Sequence, residues 1–256
     1  MEERLGYALD NTPIILSGMA SSTIGMVDLP YKKIPFSTSG EDLETFIIDS
    51  SEKVKHTIVI ISGARTADDV MRGEESKLIG CAVADNFQDH LYIFPGTHPK
   101  HVEVKNGRVT AFKTYMTGEF FELLSKKSIL ANSVEKGKNL ETETNRQSFA
   151  QGVRRGINSN LLHSCFLVRT NDVFKKFSLE ENYFYLSGLL IGSELKDVPV
   201  KNRNITVVAN TALSAQYIAA LRIIGLPDEH ISVTQIDADK ALIKGQMEVY
   251  NKTMQR

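Results

Sequence analysis

Asp69-Val70-Met71-Arg72-Gly73-Glu74-Glu75-Ser76-Lys77-Leu78-Ile79-Gly80 places two adjacent carboxylates directly after a glycine, with Leu78, Ile79 and Ala82 following at helical spacing. Such a stretch reads as the first turn of a helix, its acidic residues at the positive end of the helix dipole. A second stretch, Phe94-Pro95-Gly96-Thr97-His98-Pro99-Lys100, lies between the apolar run 91–94 and the alternating Val102 and Val104. It predicts a tight turn between two strands, with free backbone N–H groups and a hydroxyl that suit phosphate oxygens. A carboxylate at a helix start combined with a Gly-Thr hairpin suggests phosphoryl-transfer chemistry.

Outward from these stretches, Pro13 to Met19 reads as a buried strand of a parallel sheet, ending in Ser17-Gly18. Thr57 to Ile61 is almost wholly β-branched and predicts another strand, followed by a helix over 69–84. Residues 20–36 are either a ligand-bearing loop or a solvated connection, and 41–49 either a short helix or a strand. Asn106-Gly107 marks a two-residue hairpin, making a meander of 91–94, 102–105 and 109–112. Thr117 is a candidate N-cap for a helix containing Glu119, Phe120, Leu123 and Leu124. Residues 132–144 read as an exposed connection, and 147–194 as helical almost throughout, with Gly188, Gly192 and Ser193 permitting close packing. Strand 205–208, a helix from Leu213 to Gly225, strand 231–234 and helix 236–254 complete an α/β chain with mixed sheets.

The totals narrow the function classes. At 256 residues and 42% hydrophobic, the chain can bury a core as one or two domains. Thirty basic residues against 31 acidic leave no basic stripe for nucleic acid. Cys81 and Cys165 lie far apart without metal-ligand spacing, and read as reduced thiols of a cytoplasmic protein. No apolar run approaches the ~18 residues of a membrane span, and the N-terminus lacks a signal-peptide core.

Four motifs carry a family resemblance: Asp69 to Glu75, Pro95-Gly96-Thr97-His98-x-Lys100, Met116-Thr117-Gly118-Glu119, and Leu186-Ser187-Gly188-Leu189-Leu190-Ile191-Gly192. Together they resemble the 2-dehydro-3-deoxygalactonokinase family, from about Pro13 to the C-terminus. The resemblance implies the actin-like sugar-kinase fold: α/β, with two ribonuclease-H-like domains, sugar mainly on the first and ATP mainly on the second. It implies a partial sugar-binding domain over 1–88 and a nucleotide-binding domain with the C-terminal helix over 89–256. The activity it implies is ATP- and Mg²⁺-dependent phosphorylation of the C6 hydroxyl of 2-dehydro-3-deoxy-D-galactonate, in the cytoplasm, with a homodimer as an expected assembly.

By the same resemblance, Gly96 and Thr97 form the second phosphate loop, and Val208-Ala209-Asn210 the adenosine loop. The family commonly has glycine in that adenosine turn; Asn210 departs from it but tolerates left-handed backbone. Glu74 is the expected proton acceptor from the sugar hydroxyl, with Glu75 second and Asp69 third; the plain alternative is an exposed acidic helix start. Arg72 suits a substrate carboxylate, or else is a surface arginine paired with Glu75 or Glu41. Ser17, Gly18, Ser22 and Glu75 are the remaining candidate substrate contacts. Lys100 and His98 either reach phosphate or are ordinary hairpin residues; no metal site is expected, and the other histidines carry no signal.

One family element is missing. No Asp-x-Gly occurs, although the family's first phosphate loop positions magnesium with such a turn. The first domain is therefore expected to be N-terminally truncated, either as a fragment of an active kinase or as a natural short form. Loss of the edge strands would expose a sheet edge and favour association. The rival reading is a non-catalytic protein of the same fold that binds a sugar acid or a nucleotide.

Overall fold

The computed structural model describes residues 12–51, 55–82, 89–137, 139–199, 204–209, 211–233 and 238–255. The chain divides into two units. Met1–Asp89, Val102–Lys113 and Ile236–Arg256 form the first, and His90–His101 with Thr114–Gln235 the second.

In unit 1, β5 (Ile58–Ile61) is the centre of a three-stranded sheet, with β1 (Ile14–Leu16) parallel to it and β4 (Thr45–Ile48) antiparallel. All four β5 side chains are buried, each contributing about 2 kcal/mol of apolar transfer. The segment left open between helix and strand is thus the strand β4. The run from Pro13, expected to be a buried strand, is an edge: β1 is partly exposed, with Ile14 at 38%. Pairing with β5 alone among the described residues leaves its outer side uncovered.

A second small sheet joins β2 (Lys32–Lys33), β6 (Ala64–Arg65) and β7 (Val70–Met71). It changes the predicted start of the following helix. Val70 and Met71 are bonded to β6, and Gly73 has φ +108°, a value no helix accommodates. Helix α1 (Glu74–Ala82) therefore begins five residues later than the periodicity from Asp69 predicts.

The third sheet segment of unit 1 brings β9 (Lys100–Lys105) next to β10 (Arg108–Thr114), which pairs with β3 (Phe36–Ser37). Asn106 and Gly107 both have positive φ (49° and 69°), the geometry that a two-residue Asn-Gly hairpin requires. The last helix, α7 (Ala238–Met254), packs against α1 within unit 1. Its approach is closest at two glycines. A β-carbon on Gly80 would overlap the Ala241 carbonyl, and one on Gly245 the Ser76 carbonyl.

Unit 2 contains three parallel strands, β8 (His90–Phe94), β11 (Asn204–Val207) and β12 (Ile231–Val233), with β11 in the middle. Around them stand α2 (Thr117–Lys127), α3 (Glu143–Asn158), α4 (Leu161–Val173), α5 (Leu179–Leu195) and α6 (Thr211–Ile223). The helical stretch 147–194 thus resolves into α3, α4 and α5. Their starts are sharply capped: Thr142 and Asn160 each accept a backbone N–H, and Ser178 with Glu181 completes a capping box.

Helix α5 is buried along most of its length and meets α3 backbone to backbone. β-Carbons on Gly188 and Gly192 would overlap the Phe149 and Val153 carbonyls, and on Gly152 and Gly156 those of Tyr185 and Leu189. Leu91, Ile93, Phe149, Val153, Phe184, Ile191, Ile205, Val207 and Leu221 fill the core between this pair and the strands.

Candidate active site

In unit 1, two turns bring together residues from distant parts of the sequence. Gly18 (φ +81°) turns the chain after β1, and Gly73 (φ +108°) turns it into α1. The two turns abut: a β-carbon on Gly73 would stand 3.5 Å from the Gly18 Cα. The turns that carry Ser17 and Gly18, and Arg72 and Glu74, are therefore neighbours. Ser17 Oγ accepts a 3.0 Å bond from Gln246 Nε2 of α7, which anchors the first turn to the last helix.

The two glutamates are treated very differently by the fold. Glu75 is fully buried, and both its carboxylate oxygens accept the Gly73 N–H, at 2.7 and 2.8 Å. Burial pushes its pKa up to about 8, against the lowering effect of those backbone donors. Expected among the substrate contacts, Glu75 instead clamps the turn from inside. Glu74 remains partly exposed at the helix start, its carboxylate accepting the Arg72 N–H at 3.1 Å.

Arg72 pairs with neither Glu75 nor Glu41 in an ion pair. Its guanidinium lies 4.4 Å over the Tyr31 ring, and its Nε is buried without a hydrogen-bond partner. A buried, planar, unpartnered donor beside Gly18 and Glu74 suits a ligand carboxylate. Ser22, also expected to contact substrate, is buried and donates to Met19 O at 2.7 Å, so its hydroxyl is occupied within its own turn. Asp69 receives the Val70 N–H at 2.7 Å and lies before the helix.

Unit 2 holds a cavity of about 300 Å³ whose rim includes Gly96 and Thr97. Both are exposed, and no atom lies within 4 Å of where a Gly96 β-carbon would be. The turn is tied to α2 on both sides: Glu119 N–H donates to Thr97 O at 3.0 Å, and His98 bonds the Glu119 carboxylate at 2.7 Å. Gly118 must be glycine-sized, because a β-carbon there would overlap the Gly96 carbonyl. His98 thus serves the hairpin. Lys100 is buried, with Nζ 3.4 Å from His98 O, so its ammonium is turned to the strand rather than to open space.

Thr117 is the first helical residue of α2, not its N-cap; that position is Met116, without a side-chain bond. The Thr117 hydroxyl donates instead to Glu194 of α5. Glu194 is buried and also receives Tyr217 OH and His101 Nε2, each at 2.8 Å. This hub fixes α2, α5, α6 and the start of β9 around one carboxylate. Burial, with Glu194 beside it, holds the Tyr217 phenol well above its usual range. On the far wall Ser187 donates to Gln216 Oε1 at 2.7 Å, beside Tyr183 and Leu213. Of the expected adenosine turn, Ala209 is partly exposed but does not line the cavity, whereas Ala212 and Leu213 do. Asn210 lies outside the described residues.

Sequence reading missed Tyr31, Gln246, Glu194 and the pairing of His101, the last among histidines that seemed to carry no signal. His90 is likewise buried, with Nε2 on the Thr206 hydroxyl. A buried glutamate on an otherwise apolar helix, Ser193-Glu194-Leu195, was the one local hint. The two free cysteines, Cys81 and Cys165, form no disulfide, and among the described residues no three His, Cys, Asp or Glu side chains converge on a metal position. No helix of the described residues is long and apolar enough to cross a membrane.

Comparison with known proteins gives the class, a phosphotransferase of the kinase type. The family model described as 2-keto-3-deoxy-galactonokinase matches residues 1–249. Over 247 residues the chain is 34% identical to the 2-dehydro-3-deoxygalactonokinase of Escherichia coli (strain K12), covering 92% of this chain and 77% of the relative. It is 30% identical over 242 residues to the Rhizobium meliloti (strain 1021) protein described as "Probable 2-dehydro-3-deoxygalactonokinase DgoK1", covering 91% and 76%. A Sinorhizobium meliloti crystal structure, described as "a putative 2-dehydro-3-deoxygalactonokinase protein", superposes with a TM-score of 0.83 at 27% identity, over 98% of this chain and 81% of that one. The chain belongs to the 2-keto-3-deoxy-galactonokinase family, a family of kinases.

Proposed function

We propose that the chain transfers the terminal phosphoryl group of ATP to the C6 hydroxyl of 2-dehydro-3-deoxy-D-galactonate, releasing ADP. The relatives' names support the substrate, and the observation that carries it here is Arg72, whose buried Nε has no partner beside the Gly18 turn. The sugar-acid carboxylate would bind that guanidinium bidentately, with Ser17 and Gly18 alongside. Glu74 accepts the hydroxyl proton as the O–P bond forms and the bond to ADP breaks. Glu75 supports it only through the Gly73 turn.

The cavity of unit 2 suits the nucleotide, with Gly96 and Thr97 against its phosphates and Tyr183, Leu213 and Gln216 about its base. The two units are read as the two ribonuclease-H-like domains of an actin-like sugar kinase, sugar on the first and nucleotide on the second. For Mg²⁺ the described residues offer no carboxylate cage, so the ion would be carried by the nucleotide phosphates, and no step is derived through it. The free thiols fit a cytoplasmic location. A homodimer would bury the exposed Leu162, Phe166 and Phe174 on and just after α4.

An ADP-release assay with 2-dehydro-3-deoxy-D-galactonate tests the reading. Turnover by the wild type should fall by about 10²–10⁴ in Glu74→Gln with sugar-acid binding retained. Calorimetric binding of the sugar acid without any ADP release would favour the non-catalytic reading instead.

A further inference from the structure

On the side of unit 2 formed by α3, α4 and the start of α5 lies a second concavity of about 510 Å³, larger than the one at Gly96 and sharing no lining residue with it. Arg154 and Arg155 from α3 and Lys176 from the α4–α5 connection line it, with Asn158, Asn171 and the buried Tyr185. None of the three cations has an ion-pair partner among the described residues. Asp172 and Glu180, each four positions from Lys176, do not line the cavity: Asp172 is engaged by Ser133, Arg169 and Lys175 at 3.0, 3.3 and 3.2 Å, and Glu180 accepts from Asn145 at 3.2 Å.

Several other basic side chains of this unit have a carboxylate partner. Lys126 has Glu122 at 2.9 Å, Arg146 has Glu143 at 2.9 Å and Arg222 has Asp228 at 2.6 Å. Three like charges converging on one concavity without a carboxylate repel one another, which is a cost unless an anion is bound there. A merely solvated face would spread them out. Arg155 also stands beside the Tyr185 hydroxyl, and both line the cavity.

We propose that this concavity is an anion site for a small phosphate-bearing ligand, separate from the candidate active site. Two arginine forks match phosphate oxygens bidentately, and Lys176 adds a point charge for a second anionic group. The amides of Asn158 and Asn171 suit hydroxyls on the body of the ligand, and Leu167 and Phe177 cover its apolar edge. The volume fits one small organic phosphate. Free phosphate and a phosphate ester share the chemistry the cations would recognise.

Calorimetry on the full chain tests the site, with three probes: inorganic phosphate, 6-phosphogluconate and gluconate. Four proteins are compared: wild type, R154Q/K176Q, R154K and T97V. The double variant changes only exposed side chains, and its thermal melt controls for folding. We expect a phosphate-bearing probe to bind the wild type and T97V alike, to lose about tenfold to a hundredfold in affinity in R154Q/K176Q, and to lose less in R154K, which keeps the charge but not the fork. Phosphate binding as well as phosphogluconate would identify free phosphate as the ligand class, and much tighter phosphogluconate an organic ester; both support the site. The proposal is overturned if wild type and double variant bind alike, if neither phosphate probe binds, or if gluconate binds as well as its phosphate and loses that binding equally in R154Q/K176Q. Loss of binding in T97V alone would assign the anion to the Gly96-Thr97 turn and overturn it equally.

Discussion

The turn cluster of unit 1 and the cavity of unit 2 hold their functional groups by opposite means. In unit 2 the walls are helices, and their spacing is set by backbone contacts at Gly152, Gly156, Gly188 and Gly192, with Glu194 receiving donors from three other segments. In unit 1, Ser17, Gly18, Arg72 and Glu74 stand on two turns that both require positive φ. One of those turns is clamped by a single buried carboxyl, Glu75. Order in unit 2 is distributed over many small contacts; order around Arg72 depends on one ionisable group. The first should fail by volume and the second by loss of a proton.

The largest test of that contrast concerns pH. Below 4.5 Glu75 is protonated in both folded and unfolded chains, and above about 8 it is ionised in both. Between those limits the folded chain binds one proton more than the unfolded one, so stability falls as pH rises. The upper bound is about 5 kcal/mol, from 3.5 pKa units at ~1.4 kcal/mol each. Glu75→Gln cannot ionise, so its urea midpoint should gain on the wild type steadily from pH 5 to pH 8. Parallel curves would mean the clamp is charged and the contrast drawn here is mistaken.

Next in size, Gly188→Val should cost about 3 kcal/mol, since its side chain must displace the Phe149 backbone. A drop in urea midpoint at all pH values would mark it as a packing failure, whereas a drop confined to high pH would blur the two cases. The smallest expected effect is kinetic. Arg72→Lys keeps the charge but loses the fork and the stack on Tyr31, so KM for the sugar acid should rise about tenfold with kcat little changed. An unchanged KM would remove Arg72 from the substrate site.

Local pattern carried much of this architecture and little of its wiring. The β-branched run at 58–61, the Asn106-Gly107 hairpin and the periodicity over 147–194 each announce their element, because strand, turn and helix preferences act over a few residues. The start of α1 was misplaced because the pairing of Val70 and Met71 with β6 overrides helical periodicity. The edge position of β1 was missed for a related reason: an apolar run looks the same whether one neighbour or two cover it. Arg72 and Glu74 stand in a family motif and Ser17 and Gly18 at the end of an apolar run, but the abutment of their two turns is not written in either stretch. That Glu75 faces inward and Glu74 outward was not legible, since adjacent residues at a helix start carry the same composition. Glu194, Gln246 and His101 act across long sequence separations, which no window along the chain can report.

The bond from Gln246 to Ser17 spans 229 positions and bears on the order in which the molecule is made. Unit 1 opens the chain and also closes it, because α7 covers the glycine face of α1 and anchors the first turn. During synthesis the ribosome releases β1, β4, β5 and α1 early, and all of unit 2 emerges before their covering helix does. The usual N-terminal-first sequence of domain folding is therefore reversed in its last step. Strands β1 and β5 and helix α1 must wait, partly bare, for the later-made helix that covers them.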